Sequence, residues 1–198
     1  MGPSSSNLVS QGTFTPTGGI TIYGQAGNDN ISVDPMISRP YLLFGGDGND
    51  TIAGGNGSGI LVGGNGTDNL SSGNGRDILI GGAGQDTVNG GNGDDILIAG
   101  TTNYDTNLTA LYAIGREWLR TDITYQARIN HLTGATSGGL NGTTYLKATA
   151  PGQTVFDDAS RDSLTGGNGS DWFILNRTGS GVLDRSDSSG SEVATDLP

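Results

Sequence analysis

Between Gly45 and Ile98 the chain reads GGDGNDTIA, GGNGSGILV, GGNGTDNLS, SGNGRDILI, GGAGQDTVN and GGNGDDILI, six units of nine residues without a gap. Position six is aspartate in every unit except the second, which has Gly59; the aspartates are Asp50, Asp68, Asp77, Asp86 and Asp95. Position eight is always aliphatic: Ile52, Leu61, Leu70, Leu79, Val88 and Leu97. A fixed period of this kind is the signature of a repeat fold in which each unit packs on its neighbours.

Further units lie on both sides of this array. GQAGNDNIS at Gly24–Ser32 places Asp29 at position six, and GGNGSDWFI at Gly166–Ile174 places Asp171 there. The stretch DDASRDSLT, directly before Gly166, is a decayed unit with Asp162 at position six. The repeats are therefore expected to resume after an excursion of the chain.

The composition restricts the classes of function. The 198 residues include 37 glycines and no cysteine, and only 32% are hydrophobic, so disulfides and thiolate metal sites are excluded and a large oily core is not expected. All acidic residues are aspartate except Glu117 and Glu192, and the net charge is −11. With Lys147 as the only lysine there is no basic patch for nucleic acid, so charged partners are expected to be cations.

The pattern resembles the hemolysin-type calcium-binding repeat of the RTX (repeats-in-toxin) family, GGxGxDxUx, where U is a large apolar residue. The resemblance implies an all-β repeat fold, a parallel β-roll or β-solenoid, here with a small helical insertion after the main array. Glycines supply turns with positive φ, and the tripeptide xUx forms a short strand with U facing inward. Two units make one coil, so that turn n stacks on turn n+2.

The resemblance also implies that Ca²⁺ lies between stacked turns. One turn gives the carbonyls of positions two and four with its Asp, and the next gives the carbonyls of positions one and three with its own Asp. On one side Asp29 pairs with Asp50, Asp50 with Asp68, and Asp68 with Asp86. On the other side Asp77 pairs with Asp95, and Asp162 and Asp171 are further metal candidates. The implied carbonyl ligands are Gln25, Gly27, Gly45, Asp47, Gly46, Gly48, Gly63, Asn65, Gly64, Gly66, Gly81, Ala83, Gly73, Gly75, Gly90 and Asn92.

Three physical arguments bear on these sites. Calcium takes six to eight oxygen ligands and accepts both carboxylates and carbonyls. Turn preference alone does not explain why aspartate recurs at position six while positions three and five vary. Stacked carboxylates about 4 Å apart would repel by roughly 4 kcal/mol at an effective dielectric constant near 20. Because Gly59 removes one carboxylate, the site that it would share with Asp77 is expected to be weak or empty.

One side of the roll is expected to carry an apolar outer face, because alternate units have apolar residues on both sides of the inward position. We define the apolar outer face as Leu42, Phe44, Ile60, Val62, Ile78, Ile80, Ile96 and Ile98. Such a stripe is not normally left in water. Two amphipathic helices, at 107–120 and from Thr121 or Asp122 to about Leu132, are predicted to cover it. The alternative is self-association through this face if the helices at 105–132 do not cover it.

The predicted organisation is a flexible segment at 1–15, the roll at 16–100, a helical and loop insertion packed on the roll at 101–153, returning repeats at 154–175, and a polar tail at 176–198. A hairpin is expected around Thr144–Ala148.

The chain carries no catalytic motif, and its only histidine, His131, lies at a predicted helix end, so we do not expect an enzyme. The expected function is a calcium-binding structural module of a secreted or cell-surface bacterial protein that folds on extracellular calcium. The alternatives are a C-terminal secretion or stabilisation domain of a larger secreted enzyme, and a self-associating surface, matrix or filament protein.

Overall fold

The computed structural model describes residues 18–178, 182–188 and 192–198. The predicted flexible segment at 1–15 lies outside the described residues. The first strands in chain order are β1 (Ile20–Ala26), β2 (Asn30–Ser32), β3 (Tyr41–Asp47), β4 (Thr51–Ala53), β5 (Gly59–Asn65), β6 (Asn69–Ser71), β7 (Ile78–Ala83), β8 (Thr87–Asn89), β9 (Ile96–Ile98) and β10 (Thr101–Thr102). They are followed by α1 (Leu108–Trp118), α2 (Tyr125–Thr133), β11 (Val155–Phe156), β12 (Ser163–Thr165), β13 (Trp172–Leu175), β14 (Arg185–Ser186) and β15 (Val193–Asp196).

The strands form a parallel β-roll, as the sequence predicts. The large sheet has the order β1-β3-β5-β7-β9-β13-β15, and the small sheet has the order β14-β12-β8-β6-β4-β2. Within the uninterrupted array each residue pairs with the residue eighteen further on, for example Leu61 with Leu79 and Leu70 with Val88. Two nine-residue units therefore make one coil.

The interior of the roll is built from the position-eight side chains of both sheets. Leu61, Leu70, Leu79, Val88 and Leu97 are all 0% exposed and belong to one apolar cluster. Phe173 and Leu175 continue this cluster towards the C-terminal end. One apolar side chain per unit makes a thin core, so the turns must contribute to the cohesion of the coils.

The apolar outer face forms a second cluster with the insertion. Ile78, Ile96 and Ile98 of the large sheet pack in the same cluster as Leu111 and Trp118 of α1. Ile129 and Leu132 of α2 complete the cover. The two helices are joined to the roll by polar contacts as well, since the Trp118 indole donates to the Asp94 carbonyl at 2.8 Å.

Some boundaries differ from those expected. Helix α2 begins after Thr124, whose side chain caps it by accepting from the Ala127 amide, so the predicted caps Thr121 and Asp122 are wrong. The Asp122 carboxylate instead pairs with Arg120 at 2.6 Å, so it does not accept a hydrogen bond from the amides at the start of α2. The predicted hairpin around Thr144–Ala148 is wrong, because these residues form no strands; the short antiparallel pair of β10 and β11 instead joins the two ends of the insertion.

The chain after residue 175 contributes a last coil rather than only a tail. Strand β15 extends the large sheet beside β13, and β14 extends the small sheet beside β12. Leu197 is 1% exposed and packs in the outer apolar cluster, which explains why this polar stretch is held in place. Neither helix of the described residues has the length and apolar character that a membrane crossing requires.

Candidate metal centre

The position-six aspartates stack into two ladders. The first ladder, which precedes the strands of the small sheet, consists of Asp29, Asp50, Asp68, Asp86 and Asp162. The amide of each donates to Oδ1 of the next at 2.7, 2.7, 2.8 and 2.7 Å. The second ladder, which precedes the strands of the large sheet, consists of Gly59, Asp77, Asp95 and Asp171, with corresponding distances of 2.6, 2.8 and 2.8 Å.

The other oxygen of each carboxylate has no partner. Oδ2 is buried and accepts no hydrogen bond in Asp29, Asp50, Asp68, Asp77, Asp86, Asp95, Asp162 and Asp171. A buried, unpaired carboxylate oxygen costs several kcal/mol unless a counter-charge neutralises it. Each of these aspartates thus presents one satisfied and one unsatisfied oxygen at the same point of the repeat.

Main-chain carbonyls surround the unsatisfied oxygens. A Cβ atom added at Gly81 would lie 2.7 Å from Asp86 Oδ2 and 2.5 Å from the carbonyl oxygen of Ala99. At Gly90 the corresponding neighbours are Asp95 Oδ2 at 2.6 Å and the Gly166 carbonyl at 2.8 Å. We call this space a cradle: it lies at a position-one residue and is bounded by the carboxylate of its own turn and the position-one carbonyl of the next. Open cradles lie at Gly24, Gly45, Gly63, Gly81 and Gly90.

The other implied carbonyl ligands are arranged in two ways. Those of positions two and four face the glycines of the next turn, so that a Cβ at Gly48, where φ is 132°, would collide with the Gly27 carbonyl. Those of position three accept an amide of the preceding turn, for instance Asn65 from Gly48 at 2.8 Å and Asn92 from Gly75 at 2.9 Å. Each of these carbonyls keeps a second lone pair.

Burial raises the pKa of six carboxyl groups in the two ladders. It raises the pKa of Asp68 and Asp171 to about 6, of Asp77 and Asp162 to about 7, of Asp86 to about 8 and of Asp95 to about 9. The loss of hydration is the largest cause; the amide hydrogen bond on Oδ1 lowers the pKa, and a neighbouring carboxylate raises it for most of these groups. The raised values show that the folded chain disfavours the ionised ladders, because no ion pair of the described residues neutralises these carboxylates.

A hard divalent cation fits this arrangement. The described residues contain no group of three or more His, Cys, Asp or Glu side chains placed to hold a metal ion, so any site here must combine carboxylates with main-chain carbonyls. That donor set, all oxygen and partly neutral, is the one calcium prefers. The unsatisfied Oδ2 atoms and the open cradles supply it at successive turns.

One repeat of the first ladder is split by the insertion. Ala99 and Gly100 supply positions one and two, since they stack on Gly81 and Gly82, whereas position six is Asp162. The insertion with the two helices lies between Gly100 and Asp162 in the sequence. On its return Asp158 Oδ2 accepts the Gly84 amide at 2.5 Å, in place of the position-three carbonyl that takes this bond elsewhere.

Two acidic residues of the last coil were missed by the sequence analysis. Asp184 accepts the Asp162 amide on Oδ1 at 2.9 Å and the Asn176 amide on Oδ2 at 2.9 Å, so it ends the first ladder with both oxygens used. Glu192 lies directly before Val193, whose amide donates to the Asp171 carbonyl at 3.0 Å, and its negative charge raises the pKa of Asp171. Neither residue stands at position six of a GGxGxD unit, so the repeat pattern did not mark them.

The only histidine has a partner in the insertion. His131 Nδ1 lies 2.6 Å from Oε1 of Glu117, which is 0% exposed and also accepts the Leu140 amide at 2.5 Å. These contacts join α1, α2 and the loop that follows them.

The comparisons with known proteins agree with the geometry. A family model described as the RTX calcium-binding nonapeptide repeat matches the chain in four copies, at residues 21–34, 42–61, 62–97 and 153–177. These matches contain both outlying units and the array as far as Leu97. Nothing matches among the curated proteins or the solved structures.

Proposed function

The chain carries repeats of the RTX calcium-binding family, which bind Ca²⁺ and occur in secreted bacterial proteins, and from this we propose that it is a calcium-responsive structural module that folds outside the cell. The single observation that carries the proposal is the row of buried Oδ2 atoms without a hydrogen-bond partner. Bound calcium would neutralise them. The chain's own part is to hold each carboxylate by its Oδ1 atom and to direct carbonyls into the cradles.

Calcium concentration would set the folded population. Ions that bind only the folded state stabilise it by mass action, and extracellular sites typically bind calcium at about 10⁻⁴–10⁻³ M. The thin interior of the roll and the repulsion within each ladder both favour the unfolded chain when calcium is scarce. We therefore expect an unfolded or partly folded roll at cytosolic calcium and a folded roll outside.

Self-association through the apolar outer face is not favoured. Its residues are buried under the insertion, with Ile96 and Ile98 at 0% exposure and Ile80 at 1%. A surface that is already covered cannot also serve as an interface unless the helices leave. We also propose that the chain has a structural rather than a catalytic role, with His131 joining α2 to Glu117 of α1 through a 2.6 Å contact.

The test is a calcium titration followed by far-ultraviolet circular dichroism, with magnesium as the matched control. Strand signal should appear cooperatively with calcium and not with magnesium, because magnesium is smaller and gives up its water reluctantly. Native-like strand signal after complete removal of calcium, unchanged by its return, would overturn the proposal.

A further inference from the structure

The second ladder departs from the regular pattern at two successive position-one residues, Gly54 and Ser72. A Cβ added at Gly54 would meet the hydroxyl and ring of Tyr41 instead of a carboxylate oxygen and a carbonyl. The unit of Gly54 is the one with Gly59 at position six. A phenol therefore fills the place where the other turns have an open cradle.

Tyr41 and Gly59 are matched to each other. Tyr41 begins β3, pairs with Gly59 in the large sheet and is 0% exposed. A Cβ at Gly59 would overlap the carbon atoms of its ring, so no carboxylate could stand at that position while Tyr41 is there. The Tyr41 hydroxyl donates to Asp77 Oδ1 at 3.0 Å. The Tyr41 ring thus stands where a position-six carboxylate would be, and its hydroxyl donates a hydrogen bond to Asp77, which has no carboxylate opposite it in the turn of Gly59.

Ser72 is the next departure, where the other units of the array have glycine. Its hydroxyl donates to the carbonyl oxygen of Gly90, and it lies close enough to the Asp77 carboxylate to lower the pKa of that group. The carboxylate of its own turn and the position-one carbonyl of the next turn are the two groups that bound every open cradle. The Ser72 hydroxyl, 8% exposed at the residue level, therefore occupies the cradle of its own turn.

We propose that Tyr41 and Ser72 close two successive calcium positions of the second ladder with hydroxyl groups. The first ladder and the position between Asp95 and Asp171 keep open cradles and bind calcium. The proposal rests on the calcium-binding function and adds that the two sides of the roll differ in their need for the ion. At any calcium concentration the middle of the second ladder would keep the hydrogen bonds of the Tyr41 and Ser72 hydroxyl groups, while Asp77 Oδ2 stays without one.

The test is the number of calcium ions bound at saturation, measured by native mass spectrometry. Ser72→Gly opens a cradle whose other groups, Asp77, Asp95 and the Gly90 carbonyl, are all present, so it should bind one ion more than the wild type. Gly63→Ser places a hydroxyl in an open cradle of the first ladder and should bind one ion fewer. An unchanged number in Ser72→Gly would overturn the proposal even if Gly63→Ser failed to fold.

A second measurement locates the ions directly. Anomalous scattering from crystals of the calcium-loaded wild type should show an ion at the Gly63 cradle and none at Gly54 or Ser72. An ion at Ser72 would refute the closure while leaving the general function intact. A wild type that binds no calcium at all would instead refute the function on which the closure rests.

Discussion

Acid should replace calcium in folding the roll. The pKa of Asp68 is raised from 3.8 to about 6, which corresponds to about 3 kcal/mol between its protonated and ionised forms. Because the folded state holds this proton more tightly than the unfolded chain, the stabilisation is fully present below pH 3.8 and is lost as the pH rises through about 6. For Asp95 the loss extends to about pH 9.

The assay is far-ultraviolet circular dichroism on protein freed of calcium over a chelating resin, since soluble chelators weaken in acid. At about pH 7.5 the calcium-free chain should show little strand signal, and at about pH 5 the signal should rise because most ladder carboxyl groups are then protonated. Asp68→Asn removes one titrating group and should shift the transition to higher pH. Sodium chloride at the higher pH is the control for general charge repulsion, which salt screens.

The reasoning would be refuted by a calcium-free chain that stays unfolded at about pH 5 and yet folds with calcium at neutral pH. In that case the ladder charge would not be what opposes folding, and calcium would act through its ligand geometry alone. Calcium affinity should also fall with acidification, because protons and calcium compete for the same oxygens.

Three further outcomes are expected. Asp68→Asn should raise the calcium concentration at the folding midpoint by about tenfold, as expected for a lost charged ligand worth about 1.4 kcal/mol or more. The control Asp47→Asn changes an exposed side chain and keeps the main-chain carbonyl, so it should leave the midpoint nearly unchanged, and equal shifts in the two titrations would contradict the assignment. Trp118→Ala should cost about 3–5 kcal/mol in thermal denaturation at saturating calcium, since Trp118 is 0% exposed, and Tyr112→Ala, at 49% exposure, should cost less than about 0.5 kcal/mol. Excision of residues 102–132 should give concentration-dependent association in light scattering because it uncovers the apolar outer face, and a soluble monomeric product would argue against that role of the helices.

The regular part of the molecule could be predicted from the sequence because the residues of each nine-residue unit determine the turn and the strand of that unit. Aspartate at position six and an aliphatic residue at position eight suffice to set both the ladder and the interior, as Asp68 and Leu70 illustrate. Period and register follow from repetition, without any long-range information. The same argument identified Asp162 in a unit that has lost its glycines.

The exceptions could not be predicted because they depend on contacts between residues far apart in sequence. Gly59 is recognisable as a lost ligand, but the Tyr41 ring that fills its place comes from an insertion that breaks the period. Asp184 reaches the end of the first ladder through a coil with no repeat pattern. Thr124 rather than Asp122 caps α2, and the sequence does not reveal that the Asp122 carboxylate pairs with Arg120.

The split repeat has a consequence for truncated chains. In calcium the coils can stack as far as Ile98 on adjoining repeats alone, but Trp172, which begins the next strand of the large sheet, follows the whole insertion in sequence. Without that strand, β9 becomes an unpaired edge of the large sheet. A chain truncated within the insertion would therefore fold to a roll with an exposed strand edge and would tend to aggregate through it.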